Sequence, residues 1–430
     1  MPSKAFNELK EHIDDMWVVD SHEHLTPEED WLEADEGQVD FSRFFAHYAS
    51  VDVVSAGLSE ENLANIKKAE TPLDEKWAMF EPYWEKARNT AYCKAVDYAI
   101  QGLFDLPGLN RDTYKPLAEK MREMHKPGYY RHVLKDKARI ALSVLCIGSR
   151  RADPEYYRCV YTWDHYVMAR TRNDIRNLER DSGMSIYSLD DLVAAMAKDF
   201  QDKLEFGIVA MKSPIAYCRT LNFEYPSKCD AEKAFNVIFT ERGYARNDGI
   251  QGIPAGQGKA LQDYMFHKLI QLCVEHDLPM QIHTGIQEGN GNYLKQSNPV
   301  LLNDVFMKYP KGRFDIFHAG YPYWEELGVM AKMFPGVYAD LCWTNIISPA
   351  ASMRALDEWL EVMPASKIFA FGGDYCFVEG AYAHAMFARR NVTKVLANKV
   401  DDGYFTIDEA KGVADRILRE NPNEFFRLGL

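Results

Sequence analysis

The sequence predicts an α/β fold, a distorted (β/α)8 TIM barrel with a helical insertion after strand one, and three observations predict it. Short apolar runs ending in polar residues recur eight times, helical segments separate them, and no GxGxxG follows the first run. Strands alternating with helices pair in parallel through right-handed crossovers, and eight such units is the number that closes a barrel. An open doubly wound sheet is the alternative, and the missing glycine signature counts against it.

The first run, MWVVDSHEHL, passes from apolar to His-rich, as a buried strand does when its C-terminal end opens into a site. From residue 40 to 135 the pattern turns helical. Trp77, Phe80, Trp84, Ala87 and Ala91 recur at three- and four-residue spacing, as do Val96, Ile100, Leu103 and Phe104. The remaining strand runs are ARIALSVLCIGSRR, YRCVYTWDHYV, FGIVAMKS, LPMQIHTG, RFDIFHAGYP, GVYADLCWT and KIFAFGGDY. Residues 241–258, rich in Gly, Asn and Gln, read as a long surface loop at the barrel mouth. A tail helix over 405–418 opens on a capping box of Thr406 and Glu409, with Ile407, Ala410, Val413, Ala414 and Ile417 on one face. No repeat, low-complexity tract or linker divides the chain, so residues 1–430 read as one barrel domain with 40–135 as a helical insertion within it.

With 430 residues, 47% of them hydrophobic, the chain buries a large core. A net charge of −14 argues against a nucleic-acid partner, because neutralising phosphates takes clustered Lys and Arg. The N-terminal MPSKAFNELKEHIDDMW is charged throughout and gives no support for a secretion signal, and no apolar stretch reaches membrane-span length. The eight cysteines are scattered without a CxxC pair and read as reduced thiols, mostly in the core. The expectations are a cytoplasmic homo-oligomer and a small-molecule substrate, with neither nucleic acid nor membrane as partner.

His22 and His24 flank Glu23 at the end of the first strand, and residues two apart in a strand share a side, so both imidazoles reach one metal. Alone this is weak: with 12 histidines in 430 positions, a His-x-His triplet arises by chance roughly one time in three. The rest of the set lifts it. Lys212, His283, His318 and Asp374 each fall at the polar end of a predicted strand, and in a barrel those ends converge on one mouth. Singly, a strand-end His is more often a satisfied hydrogen-bonding residue and Lys212 a snorkelling cation. Jointly, N and O donors at five strand ends suit a divalent metal better than a packed core.

This order of His-x-His, Lys, His, His and Asp on strands one, four, five, six and eight resembles the amidohydrolase superfamily. The local text, MKSPIAYCRTL, IHTG with NPVLLNDVF, and FHAGYPYWEELGVMAKMFPGVYADLCW, is similar to the amidohydrolase-related branch that includes the domain fused to glutamine synthetase-like proteins. The resemblance runs from about residue 15 to 400. The insertion, GGDY and AYAHAMFARR resemble uronate isomerases of the same superfamily, although that relative need not have His on both strands five and six, as this chain does.

The resemblance implies a divalent metal, zinc or alternatively manganese, as one or two ions. His22, His24 and Asp374 would be core ligands and His283 would complete a mononuclear site. Were Lys212 carbamylated, it would bridge two ions, with His283 and His318 on the second, and carbamylation requires a neutral, buried lysine. Asp374 is implied as the acid-base group and His318, when not a ligand, as the group that polarises the substrate. The function implied is hydrolysis of a C–N or C–O bond, with uronate isomerisation or decarboxylation as alternatives.

Residues near other strand ends are candidates for substrate contact: Arg150, Arg151, Trp163, His165, Tyr217, Arg219 and Tyr321. Arginine pairs bidentately with carboxylates, which points to a carboxylated substrate, and the competing reading is that these arginines brace loops. Asp20 either supports the ligands or orients the first loop. His47 and His384, in helical or loop contexts, carry no expected metal role.

Overall fold

The computed structural model describes residues 2–146, 152–239 and 258–430, with the backbone of Tyr244–Ala245 and Gln251–Gly252. All eight predicted strand runs form strands: β1 (Val18–Glu23), β2 (Ile140–Cys146), β3 (Tyr157–Tyr161), β4 (Ala210–Ser213), β5 (Met280–Ile282), β6 (Phe314–Ile316), β7 (Val337–Asp340) and β8 (Ile368–Phe369). Each pairs in parallel with the next in chain order. Closure comes from backbone bonds across the seam. Ser21 N–H donates to Phe371 O at 3.1 Å, Asp374 N–H to His22 O at 2.8 Å and His24 N–H to Tyr375 O at 3.0 Å. The (β/α)8 barrel is therefore the fold, and irregular register along β1 accounts for its distortion.

The two faces of the strands separate by chemistry. Met280, Ile282, Phe314, Ile316, Val337 and Ala339 join the main apolar cluster with the surrounding helices. A second apolar cluster of Val19, Leu142, Val144, Val160, Ala210 and Phe369 packs on Phe425, Phe426 and Leu428 of the C-terminal segment. The alternate positions nearer the mouth are polar: Gln281, Asp315 and Asp340 are fully buried. A barrel usually fills such layers with branched apolar residues, so this polar layer is spent on supporting what lies above it.

Between β1 and β2 run the helices Ala49–Ser55, Glu60–Ile66, Leu73–Ala87, Ala91–Phe104 and Tyr114–Met124. Trp77, Phe80, Trp84 and Ala87 lie on one buried face, as their spacing predicts. The tail helix Ile407–Asp415 starts on the Thr406 and Glu409 capping box. The expected loop over 241–258 falls almost wholly outside the described residues, and within it Tyr244–Ala245 pairs antiparallel with Gln251–Gly252. Of the eight cysteines only Cys93, Cys273 and Cys342 are buried, whereas Cys218 and Cys229 are exposed, so the thiols are less confined to the core than expected. Among the described residues, no helix is long and apolar enough to cross a membrane.

Candidate metal centre

Strand ends bring His22, His24, Lys212, His283, His318 and Asp374 into one cluster. The Nε2 atoms of His22 and His24 are 3.2 Å apart, and Asp374 Oδ1 lies 3.3 Å from His24 Nε2 and 3.8 Å from His22 Nε2. On the other side His318 Nε2 is 3.0 Å from His283 Nδ1 and 3.9 Å from Asp374 Oδ2. Asp374 thus turns one carboxylate oxygen toward each imidazole pair. Donors about 2.1 Å from a tetrahedral ion sit about 3.4 Å apart, so these spacings match those of ligands around a cation.

Hydrogen bonds behind the rings fix which nitrogens carry lone pairs. Gln281 Nε2 donates to Ser21 O (2.9 Å) and Asp315 Oδ2 (3.1 Å), which leaves its Oε1 to accept from His22 Nδ1 at 3.0 Å. His22 Nε2 is then an unprotonated donor aimed at the cluster. His318 Nδ1–H donates to Cys342 O at 3.0 Å and His283 Nε2–H to Ile286 O at 2.9 Å. Their remaining nitrogens therefore face each other lone pair to lone pair. Burial lowers the pKa of His318 to about 4 and that of His283 well below its usual value, with the neighbouring His318 and Lys212 adding to the latter. At neutral pH no proton fills the gap, and a cation there would satisfy both lone pairs. The donor set fits a divalent metal.

Burial alone would raise Asp374, but the hydrogen bond from His24 and the imidazoles of His318, His24 and His22 around it hold it well below the carboxylate range, so it is anionic. Lys212, almost fully buried, has its pKa lowered by burial, and its Nζ lies 3.7 Å from the centroid of the Phe317 ring. His318, Ala319, Trp343 and Asp374 all have φ between 54° and 64°, a region costing a non-glycine residue about 1–2 kcal/mol. Such strain, concentrated at strand ends that bear functional groups, is held by the surrounding bonds. Asp20 ties the same seam: Oδ1 accepts from the backbone of His22 (3.2 Å) and Gly373 (2.9 Å), and Oδ2 accepts from Ser143 Oγ.

Two adjoining cavities open above the cluster, about 300 Å³ and about 450 Å³, sharing Tyr48 and Glu288 in their walls. The inner one is lined by His24, His47, Cys146, Lys212, Tyr217, His283 and Asp374, among others. The outer one has an aromatic wall, Tyr48 stacked on Trp343 at 4.3 Å and on Tyr92 at 5.5 Å. Of the residues expected at the substrate, Tyr217 lines the inner cavity and Tyr321 the outer. Trp163 instead is fully buried against Phe200, His165 packs beside Tyr161 and Tyr166, and Arg219 pairs with Asp263 at 2.7 Å while covering the Phe223 ring. The short helix Asp164–Val167 begins just past β3 and turns Trp163 and His165 from the mouth; Asp164 accepts from Ser213 Oγ beside Lys212. Arg219 braces its loop. Arg150 and Arg151 lie outside the described residues.

Tyr48, His47, Tyr92, Glu288, Trp343 and Cys146 were missed in the sequence. His22, His24 and Cys146 offer donor atoms within 4.8 Å of one another, as do His318, Cys342 and Asp374. Burial raises the Cys146 thiol to about 11, so it is a neutral wall group. Its position at the end of β2 was the available signal.

Fold and site together define a (β/α)8 barrel whose strand ends gather a donor set that suits a divalent metal. Residues 230–428 match the Amidohydrolase family, which bears out the amidohydrolase-related resemblance read from the sequence. The chain is 29% identical over 229 residues to Protein fluG of Emericella nidulans, a match covering 51% of this chain and 26% of that protein, so the chain spans about a quarter of that relative. The uronate isomerase of Thermotoga maritima shares the fold at a TM-score of 0.81 and 16% identity, over 99% of this chain and 98% of that one. A Lactobacillus casei protein described as a metal-dependent hydrolase shares it at 0.68 and 18% identity, over 97% of each chain.

Proposed function

We propose that the protein is a metal-dependent hydrolase that cleaves a C–N or C–O bond of a small, carboxylated substrate bound in the barrel mouth. The observation that carries this reading is Asp374 set between two imidazole pairs, with one carboxylate oxygen toward each. His22, His24 and Asp374 would hold one ion, and His283 with His318 a second, zinc first and manganese as the alternative. When bound, such an ion supplies Lewis acidity and brings the pKa of water toward about 7.

Anionic Asp374 takes the proton of the attacking water and returns it to the leaving group. Tyr48 holds the carboxylate in line through its hydroxyl, 2.7 Å from Oδ2. Lys212, buried and with a lowered pKa, meets the requirement for carbamylation, which would add a carboxylate to the donors that would hold the metal. The stacked Tyr48, Tyr92 and Trp343 exclude water from one side of the substrate. Arg150 and Arg151, soon after Cys146 of the cavity wall, would receive the carboxylate.

Isomerisation of a uronate is the second reading, favoured by the similarity to a uronate isomerase along nearly the whole chain. Metal content by plasma mass spectrometry on protein purified without chelators, with intact mass for Lys212, separates the two. About two ions with a carbamate are the result expected of the hydrolase. One ion and an unmodified lysine would shift the assignment to isomerase or decarboxylase chemistry, and no metal would overturn both. Asp374→Asn abolishes turnover with the fold intact, and full activity in that variant would remove its proposed role.

A further inference from the structure

Far from the metal centre, a cavity of about 460 Å³ opens between the helices Lys4–Asp15, Ala91–Phe104 and Val378–Asp401 and the residues leading into β2. Arg139 in its wall precedes β2, and its carbonyl accepts from Val18 N–H at the start of β1 (3.0 Å). The cavity therefore sits at the N-terminal ends of the strands, whereas His22, His283 and Asp374 stand at the C-terminal ends.

Its charge is unlike that of the rest of the molecule. Lys10, Lys137, Arg139, Arg389 and Arg390 line it against the single carboxylate of Asp14, in a chain of net charge −14. Lys10 pairs with Asp14 and Arg139 with Asp15. Lys137 and Arg390 make no ion pair among the described residues, and both are exposed. Arg389 is only 3% exposed. Its terminal nitrogens donate to the carbonyls of Ile13, Met16 and Ala138, which locks the guanidinium in place, and its Nε is buried without a partner. Burial lowers its pKa to about 10, which still leaves it cationic at neutral pH.

The remaining wall supplies the other half of a binding site. Phe6, Tyr98, Tyr382 and Met386 give it apolar and aromatic surface. Gly102 stands where any Cβ would collide with the Tyr382 hydroxyl, so a glycine there lets that ring lie against the helix Ala91–Phe104. Two unpaired exposed cations beside an apolar wall suit an oxyanion carried on a small organic body, with the buried Arg389 bracing the wall behind them, and the volume exceeds what a bare inorganic anion needs.

We propose that this cleft binds a small phosphate-bearing metabolite, with Lys137 and Arg390 as its charge contacts. The test is isothermal titration of the metal-loaded protein with inorganic pyrophosphate, beside the Lys137→Gln/Arg390→Gln double variant. Hydrogen exchange with and without pyrophosphate locates the site. The expected result is saturable binding to the wild-type protein, weakened at least tenfold in the double variant while metal content stays the same. Slowed exchange is expected in the helices Lys4–Asp15 and Val378–Asp401. No binding, equal affinity in the double variant, or protection confined to the strand ends around His283 and His318 would each overturn the proposal, the last assigning the anion to the metal centre instead.

Discussion

The Tyr48 hydroxyl lies 2.7 Å from Asp374 Oδ2 and 2.6 Å from the Asp374 carbonyl oxygen, so a residue from the helical segment between β1 and β2 holds the carboxylate at the end of β8. Asp374 has φ 58°, and this contact is one of those that keep it there. Tyr48 is thus a positioning residue.

Losing a hydrogen bond to a charged group costs about 1.5–3 kcal/mol. Tyr48→Phe is expected to lower kcat about 10–100-fold with KM nearly unchanged and metal content intact. Without this donor the Asp374 anion is less stabilised, so the acid limb of the pH–rate profile moves to higher pH. A variant with wild-type kcat and an unshifted limb contradicts the assignment.

Gln281 orients His22 by accepting from Nδ1 while its own amide is anchored on Ser21 O and Asp315. Groups in this position are worth about 10–100-fold in metal affinity. Gln281→Leu should release the ion at correspondingly lower chelator concentration in a competition titration, with secondary structure retained by circular dichroism. Retention equal to wild type would mean that the tautomer is set by something else.

At Gly373 the backbone passes so close to the Glu23 carboxylate that a Cβ would collide with it. Glu23 in turn accepts from Tyr375 N–H at 2.6 Å and cannot simply withdraw. Gly373→Ala is predicted to cost about 2–3 kcal/mol, the scale of overpacking a filled site, and to displace Asp374. Denaturant melts and metal content measure the two effects, and an alanine tolerated in both would show that Glu23 yields freely.

His384 is buried, its Nδ1–H donating to Gly373 O at 2.9 Å, and burial lowers its pKa to about 4. The folded protein keeps it neutral, while the unfolded chain protonates it near 6.5. Between those values the unfolded state binds the proton, so this residue's contribution falls as pH drops from about 6.5 to about 4 and is constant below. From pH 7 to 4.5 the loss is about 2–3 kcal/mol. Urea melts at both pH values should show wild type losing that much more than His384→Gln, and equal losses would place its folded pKa near the ordinary value.

Much of this was legible in the chain. Each barrel strand is a short apolar run closing on polar residues, and that pattern is local: burial on both faces demands the first part and exposure at the mouth the second. His22, His24, Lys212, His283, His318 and Asp374 could be gathered because parallel strands send all their C-terminal ends one way. Trp163, His165 and Arg219 looked equivalent by the same rule. One short helix after β3 turned two of them aside, and Asp263, more than forty residues downstream, claimed the third.

The sequence by itself therefore determined the barrel and which polar residues meet at its mouth, because periodicity and residue chemistry are properties of short segments. Only the tertiary structure decided which oxygen of Asp374 faces which histidine pair, which nitrogens keep their lone pairs, and that Tyr48, Tyr92 and Trp343 form one wall. Those choices depend on contacts between residues hundreds of positions apart, Tyr48 with Asp374 and Gln281 with His22. Such contacts arise from packing the whole chain, and no periodicity in sequence records them.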